Sequence, residues 1–307
     1  MRIVIHGQQA FGKAVAEGVL GGAGDDHVVA VFCPPDSAGR PVDPLKALAL
    51  EEGLALHQLE SWKTDTAADL LESLKPDLCI MAYVTQLVPQ TCLDIPALGT
   101  IQYHPSLLPR HRGPSSINWS IIAGETKTGL TIFWPDQGLD TGPVLLQKEV
   151  EIGPDDTVGS IYFDHPFPMG VAALMEAVEL VRGGSAPRIA QDEAAAGYES
   201  WCRAEDAEID WAAPADKIHC LICGTDPQPG AWTTVGGEVL GLFGSRRADG
   251  AGAPGEILAI ADSGITIAAG AGAIRVTRVR PPGERAKIAA GEFAGARGLG
   301  AGSRLGG

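Results

Sequence analysis

Hydrophobic positions follow two patterns along the chain. In the first half, short continuous apolar runs alternate with stretches of helical period. Residues 2–6, 28–32, 54–59 and 77–82 read as strands. Residues 7–20 read as a loop and helix, and 44–52 and 66–74 as helices. Continuous apolar runs indicate strands buried on both faces, and helices between them indicate a parallel, doubly wound sheet. Past residue 100 a strand at 100–103 enters a Pro-rich loop, 104–113, followed by a helix at 115–123. Strands at 130–134 and 144–150 flank a loop at 135–143, so the sheet is expected to become mixed. Residues 157–182 read as helix, interrupted at Pro166 and Pro168. In the second half the strands are shorter and the turns more frequent: 230–234, 238–243, 255–260, 265–268 and 274–279. That spacing predicts a small β-barrel.

The length, 307 residues, suits two domains. The expected division is a catalytic α/β domain at 1–189, a linker at 190–203 and a β domain at 204–307, with a loose Gly-, Ala- and Arg-rich tail from about Phe293. The formal net charge of -15 argues against a nucleic-acid partner, because phosphate contacts need clustered Lys and Arg. The first strand begins at once, without a charged segment before an apolar one, and no apolar run approaches bilayer length. The expectation is therefore a cytoplasmic protein with no membrane partner. Of the six cysteines only Cys220 and Cys223 have metal or redox spacing, and with His219 alone nearby they read as interior positions of a helix.

The turn after the first strand, Gly7 to Gly12, lacks the second glycine of a dinucleotide fingerprint, and no acidic residue closes the second strand. No nicotinamide cofactor is expected. The stretch Gln102-Tyr103-His104-Pro105-Ser106-Leu107-Leu108-Pro109-Arg110 lies at a strand end, where open α/β sheets place ligands. Gln102 and His104, two apart in extended chain, share a face. On residue type alone His104 reads first as a buried, hydrogen-bonded loop residue and only second as a site residue. The second stretch, Asp136-Gln137-Gly138-Leu139-Asp140-Thr141-Gly142, sets two carboxylates beside two glycines, which permit close backbone approach. A solvated hairpin turn explains Asp136 as well as a site does, but explains the whole loop less well.

The runs IQYHPSLLPRHRGPSSINW, GLTIFWPDQGLDTGPVLLQKEVEI and DDTVGSIY closely resemble the 10-formyltetrahydrofolate-dependent formyltransferase family. The likeness is strongest to the N-terminal hydrolase domain of 10-formyltetrahydrofolate dehydrogenase. It continues through Glu208–Trp211, Pro229–Trp232 and Lys287–Phe293, and so covers nearly the whole chain. The resemblance implies a Rossmann-like, mostly parallel sheet followed by an OB-like barrel, with 10-formyltetrahydrofolate as formyl donor and no metal. It implies a catalytic trio of His104, Asp140 and Gln102, the last standing where the transferases carry Asn. Gln86, Leu87, Val88, Asp136, Gly138 and Leu139 would hold the folate. Ser106, Arg110 and Arg112 would face the acceptor, a small-molecule amine. Hydrolysis to formate and formylation of methionyl-tRNA are the alternatives. His165, in a segment that departs from the hydrolase pattern, marks a locally rebuilt helix.

Overall fold

Strand β1 (Arg2–Gly7) carries the apolar run Ile3-Val4-Ile5 and is buried from its second residue on. In the computed structural model, which describes residues 1–22 and 24–307, it pairs in parallel with β2 (His27–Phe32) and β4 (Leu78–Ala82). Around them lie β3 (Leu56–His57), β5 (Thr100–His104), β6 (Lys127–Phe133) and β7 (Val144–Glu151), in the order β3-β2-β1-β4-β5-β6-β7. The strands β1 to β5 are parallel, and β6 runs antiparallel to β5. The sheet is thus mixed from β6 onward, as the pattern predicts.

Side-chain alternation sends Ile3, Ile5, Leu78 and Ile80 to one face, under α1 (Gln9–Leu20), α2 (Pro44–Glu51) and α7 (Pro166–Arg182). Val4, Cys79 and Met81 go to the other, under α3 (Asp65–Ser73) and α4 (Gln90–Leu93). Both faces are therefore covered, which explains why these strands read as unbroken apolar runs. The expected break before α7 falls at His165, and Pro166 takes a first-turn position where its missing N–H costs no hydrogen bond.

By chain contacts the first unit comprises Met1–Gly113, Gly129–Val150 and Asp164–Tyr198, and the second Pro114–Thr128, Glu151–Phe163 and Glu199–Gly307. In the second unit lie α5 (Ser116–Ile122), α6 (Val158–Asp164, save its last residue) and α8 (Ala215–Gly224). There too an antiparallel sheet is built from β8 (Trp232–Val235), β9 (Glu238–Ala248), β10 (Ile257–Ala261), β11 (Gly264–Ala268) and β12 (Ala273–Arg280). Its order is β10-β11-β12-β9-β8, with β13 (Ile288–Ala289) on β12. Among the described residues no pairing joins β10 to β8, so a closed barrel is not formed and an open sheet stands where the OB-like barrel was expected.

Two expectations need correction. The segment from Phe293 is not a loose tail: its first residues complete α9 (Ala290–Ala296), Phe293 and Leu305 are buried in the second core, and the Leu305 N–H donates to Gly255 O at 2.9 Å. The few apolar residues of a Gly-rich stretch suffice to dock it. Nor is 190–203 a bare linker. Just before it Ile189 exchanges both backbone hydrogen bonds with Val144, and Gln191 and Glu193 reach into the first unit's side-chain network. Cys220 and Cys223 lie inside α8 as read, and burial pushes the Cys223 thiol up to about 12. Among the described residues no helix is long and apolar enough to cross a membrane.

Candidate active site

The site is built on β5. Gln102 is paired with Met81 on β4 and Phe133 on β6, and residues in register on adjacent strands point to one face. All three line a cavity of about 330 Å³. Its other walls come from the segment after β4, namely Val84, Thr85, Gln86, Leu87 and Val88, with Leu93, and from the loop after β6, namely Pro135, Asp136, Gly138, Leu139 and Asp140. The folate-side residues expected from sequence, Gln86, Leu87, Val88, Asp136, Gly138 and Leu139, are thus brought together, with Gln102 and Asp140 among them. An apolar cleft with a few converging polar groups is the usual form of a small-molecule site. Leu87 and Leu139 are exposed at its rim.

His104 ends β5 on the same face as Gln102 and is 5 % exposed, as is Asp140. Its Nδ1 lies 3.6 Å from Asp140 Oδ2, within ion-pair range but longer than a hydrogen bond. Its Nε2 is 2.9 Å from the carbonyl oxygen of His111, which can only accept, so Nε2 carries a proton. When Nδ1 is protonated as well, Asp140 supplies its counter-charge. The Asp140 carboxylate is held in turn by the Gly113 N–H, 2.9 Å from Oδ2.

The loop after β6 is tightly tied. Asp136 Oδ1 accepts from the Gly138 N–H at 3.0 Å and from the Thr141 hydroxyl at 2.5 Å. Asp140 itself has φ +58, a left-handed conformation that Asp tolerates better than most residues. A Cβ at Gly142 would stand 1.8 Å from Trp134 O, so only glycine fits. The carboxamide of Gln191 donates to Asp140 O at 2.9 Å and Gly142 O at 2.7 Å.

The acceptor-side expectations fare differently. Ser106 is fully buried and donates to Arg110 O at 2.7 Å. Arg112 is 7 % exposed, and its guanidinium grips Glu193 at 2.6 and 3.0 Å and Gln191 Oε1 at 2.9 and 3.2 Å. That hydrogen bond and charge hold the Glu193 carboxyl below its usual range and raise Arg112 above its own. Both side chains are thus engaged within the protein. Arg110 alone of the three is exposed.

Two supports went unread in the sequence. Thr131, on β6 opposite His104, donates to Ser106 O at 2.7 Å and accepts from Leu108 N at 3.1 Å and Gln147 Nε2 at 3.0 Å, which pins the Pro-rich loop. A hydroxyl inside the apolar run Leu130–Phe133 was the available signal. Gln191 sat in a stretch too polar to suggest packing. At the start of α1, Asp43 accepts from the Gln9 N–H with both oxygens, at 2.9 and 3.1 Å. A carboxylate thus satisfies a backbone N–H at the N-terminus of α1, the end where negative charge is favoured.

Comparison with known proteins gives a consistent picture. Residues 1–172 match the formyl transferase family and residues 202–297 the formyl transferase C-terminal domain. The chain is 36% identical over 299 residues to the methionyl-tRNA formyltransferase of Trichlorobacter lovleyi, covering 96% of this chain and 94% of that protein. It is 40% identical over 265 residues to the human mitochondrial 10-formyltetrahydrofolate dehydrogenase, of which it spans only 28%. Among solved structures, HypX from Aquifex aeolicus in complex with tetrahydrofolic acid is similar over 97% of this chain and 48% of its own, at 22% identity and TM-score 0.65. An N-formyltransferase from Helicobacter canadensis, complexed with folinic acid and dTDP-3-aminofucose, matches over 90% of this chain and 98% of its own, at 16% identity and TM-score 0.68.

Proposed function

The chain belongs to the formyl transferase family, a family of enzymes, and from that premise we propose that it moves the formyl group of 10-formyltetrahydrofolate to the amine of a small-molecule acceptor. The observation that carries this reading is the buried His104–Asp140 contact at 3.6 Å, with Asp140 and Gln102 on the wall of one apolar cavity. The cavity suits a flat heteroaromatic ring. Met81, Leu87, Val88, Phe133 and Leu139 offer apolar walls, and Gln86 and Asp136 offer polar edges.

The chemistry follows from these groups. The acceptor nitrogen attacks the formyl carbon, and its carbonyl oxygen becomes an oxyanion. Nε2–H of His104 is engaged by His111 O, so the donor His104 offers to the oxyanion is Nδ1–H of its protonated form, whose charge Asp140 balances. Each donor aimed at such an oxyanion is typically worth about 3–4 kcal/mol in the transition state. The Gln102 amide is a second donor of this kind, one methylene longer than the Asn of transferases. Asp140 takes the proton released by the amine, directly or through water. As the tetrahedral intermediate collapses, the carbon–N10 bond breaks and N10 receives a proton from the same pair. Exposed Arg110 suits an acceptor bearing a carboxylate or phosphate.

Hydrolysis, with water in place of the amine, is the second reading. Gln102 favours it, since the resemblance to the hydrolase domain extends to the missing Asn. The two are separated by incubating the protein with 10-formyltetrahydrofolate and following tetrahydrofolate release with and without amines, including amino sugars, amino acids and methionyl-tRNA. Transfer predicts release that depends on an amine. Rapid release without one sinks the obligatory-transferase reading and supports hydrolysis, and release with methionyl-tRNA alone sinks the small-acceptor reading.

A further inference from the structure

The tripeptide His111-Arg112-Gly113 touches both members of the candidate pair. The His111 carbonyl accepts from His104 Nε2–H, the Gly113 N–H donates to Asp140 Oδ2, and the Arg112 side chain reaches Asp140 through Gln191. Gln191 is fully used. Its NH₂ group makes two bonds, to Asp140 O and Gly142 O, while its Oε1 accepts from Nε and Nη2 of Arg112. Arg112 is anchored by Glu193 and by its own backbone, whose N–H donates to Gly197 O at 2.9 Å.

The loop after β6 therefore has two separate ties. Asp136 binds Gly138 and Thr141 on the cavity side. Gln191 binds Asp140 and Gly142 on the other, where Asp140 is left-handed. Nothing else in these contacts fixes the backbone carbonyl of Asp140, and a small rotation there would carry its carboxylate away from His104.

We infer that Gln191 is a positioning residue. Held by the Arg112 fork, it sets the Asp140 backbone so that the carboxylate faces His104, and it does so without touching either substrate. The inference deepens the formyl-transfer reading and rests on it only where turnover is measured. It assigns Arg112 to this device rather than to acceptor recognition.

The test uses the whole protein and two readouts. In Gln191→Glu the side chain still accepts from Arg112 but no longer donates to the loop. With 10-formyltetrahydrofolate, kcat is expected to fall by about a hundredfold, the scale of a misplacement near 1 Å. Affinity for the stable analogue 5-formyltetrahydrofolate, measured by calorimetry, is expected to stay within about threefold, because the Asp136 tie is intact. The imidazole ¹⁵N signals of His104, assigned by their loss in His104→Gln, are expected to move at neutral pH. Should Gln191→Glu fail to fold, Arg112→Lys, which removes the fork but keeps the charge, carries the test and is expected to give the same split in smaller measure. Turnover within about twofold of the unaltered protein, unmoved His104 signals, or a matching loss of folate affinity each overturns the inference. If the unaltered protein does not consume 10-formyltetrahydrofolate, the functional reading falls, and the His104 signals alone decide whether Gln191 positions the pair.

Discussion

His6, next to last in β1, is almost completely buried, its ring 4.6 Å from that of Trp62. Burial pushes its pKa down to about 3, and a hydrogen bond with Gln86, which lines the cavity, opposes this only in part. In the unfolded chain the same histidine takes a proton near pH 6.5. Between those values the unfolded state binds a proton that the folded state refuses, so stability falls as pH drops below 6.5 and stops falling near 3. From pH 7 to pH 5 the loss from this one group is about 2 kcal/mol. Replacing it by a similarly sized apolar residue, His6→Leu, removes the linkage but leaves the Gln86 amide one partner short, at a cost of about 1 kcal/mol. The two proteins should therefore cross: the variant is the less stable at pH 7 and the more stable at pH 5. Urea titrations at both pH values, followed by tryptophan fluorescence, read this directly. His57 and His219, whose pKa values burial also lowers, are common to both proteins and cancel. Parallel losses in the two would refute the reasoning and show that His6 can be protonated within the fold.

Other consequences concern the loops around the pair. Gly142→Ala puts a Cβ 1.8 Å from Trp134 O, so the loop must shift. A destabilisation of about 1–3 kcal/mol and loss of most formyl turnover are expected, and an unchanged melting temperature would show that the loop has room. Thr131→Val keeps the shape but deletes a hydroxyl that serves Ser106, Leu108 and Gln147. It is expected to cost about 2–3 kcal/mol and to speed hydrogen exchange at the Leu108 amide, and unaltered exchange would mean that the loop is held elsewhere.

What the sequence disclosed and what it hid have physical reasons. The parallel strands were legible because burial on both faces writes unbroken apolar runs such as Leu78–Ala82. Gln102 and His104 could be placed on one face because a strand has a period of two. The Asp136–Gly142 loop stood out because it gathers two carboxylates and two glycines just after a strand. Single-sequence reading failed where a side chain's partner lies far along the chain. Arg112 looked like a basic surface residue, yet Glu193, 81 residues on, neutralises it. Ser106 looked available, yet its acceptor is the nearby Arg110 carbonyl, reached only because the loop folds back. The Gly-rich C-terminus looked loose because Phe293 and Leu305 are too sparse to register as a pattern, although two buried anchors and a few backbone bonds hold it.

The most direct test of the central claim, that the His104–Asp140 pair carries the formyl chemistry, is single-turnover consumption of 10-formyltetrahydrofolate by Asp140→Asn, in the presence of whichever nucleophile supports turnover in the unaltered protein. Asn can still accept from the Gly113 N–H, so the loop is retained while the charge beside His104 is lost. The account predicts a rate lower by about a hundredfold or more, with binding of 5-formyltetrahydrofolate preserved. A rate close to that of the unaltered protein would contradict it and place the reacting centre elsewhere.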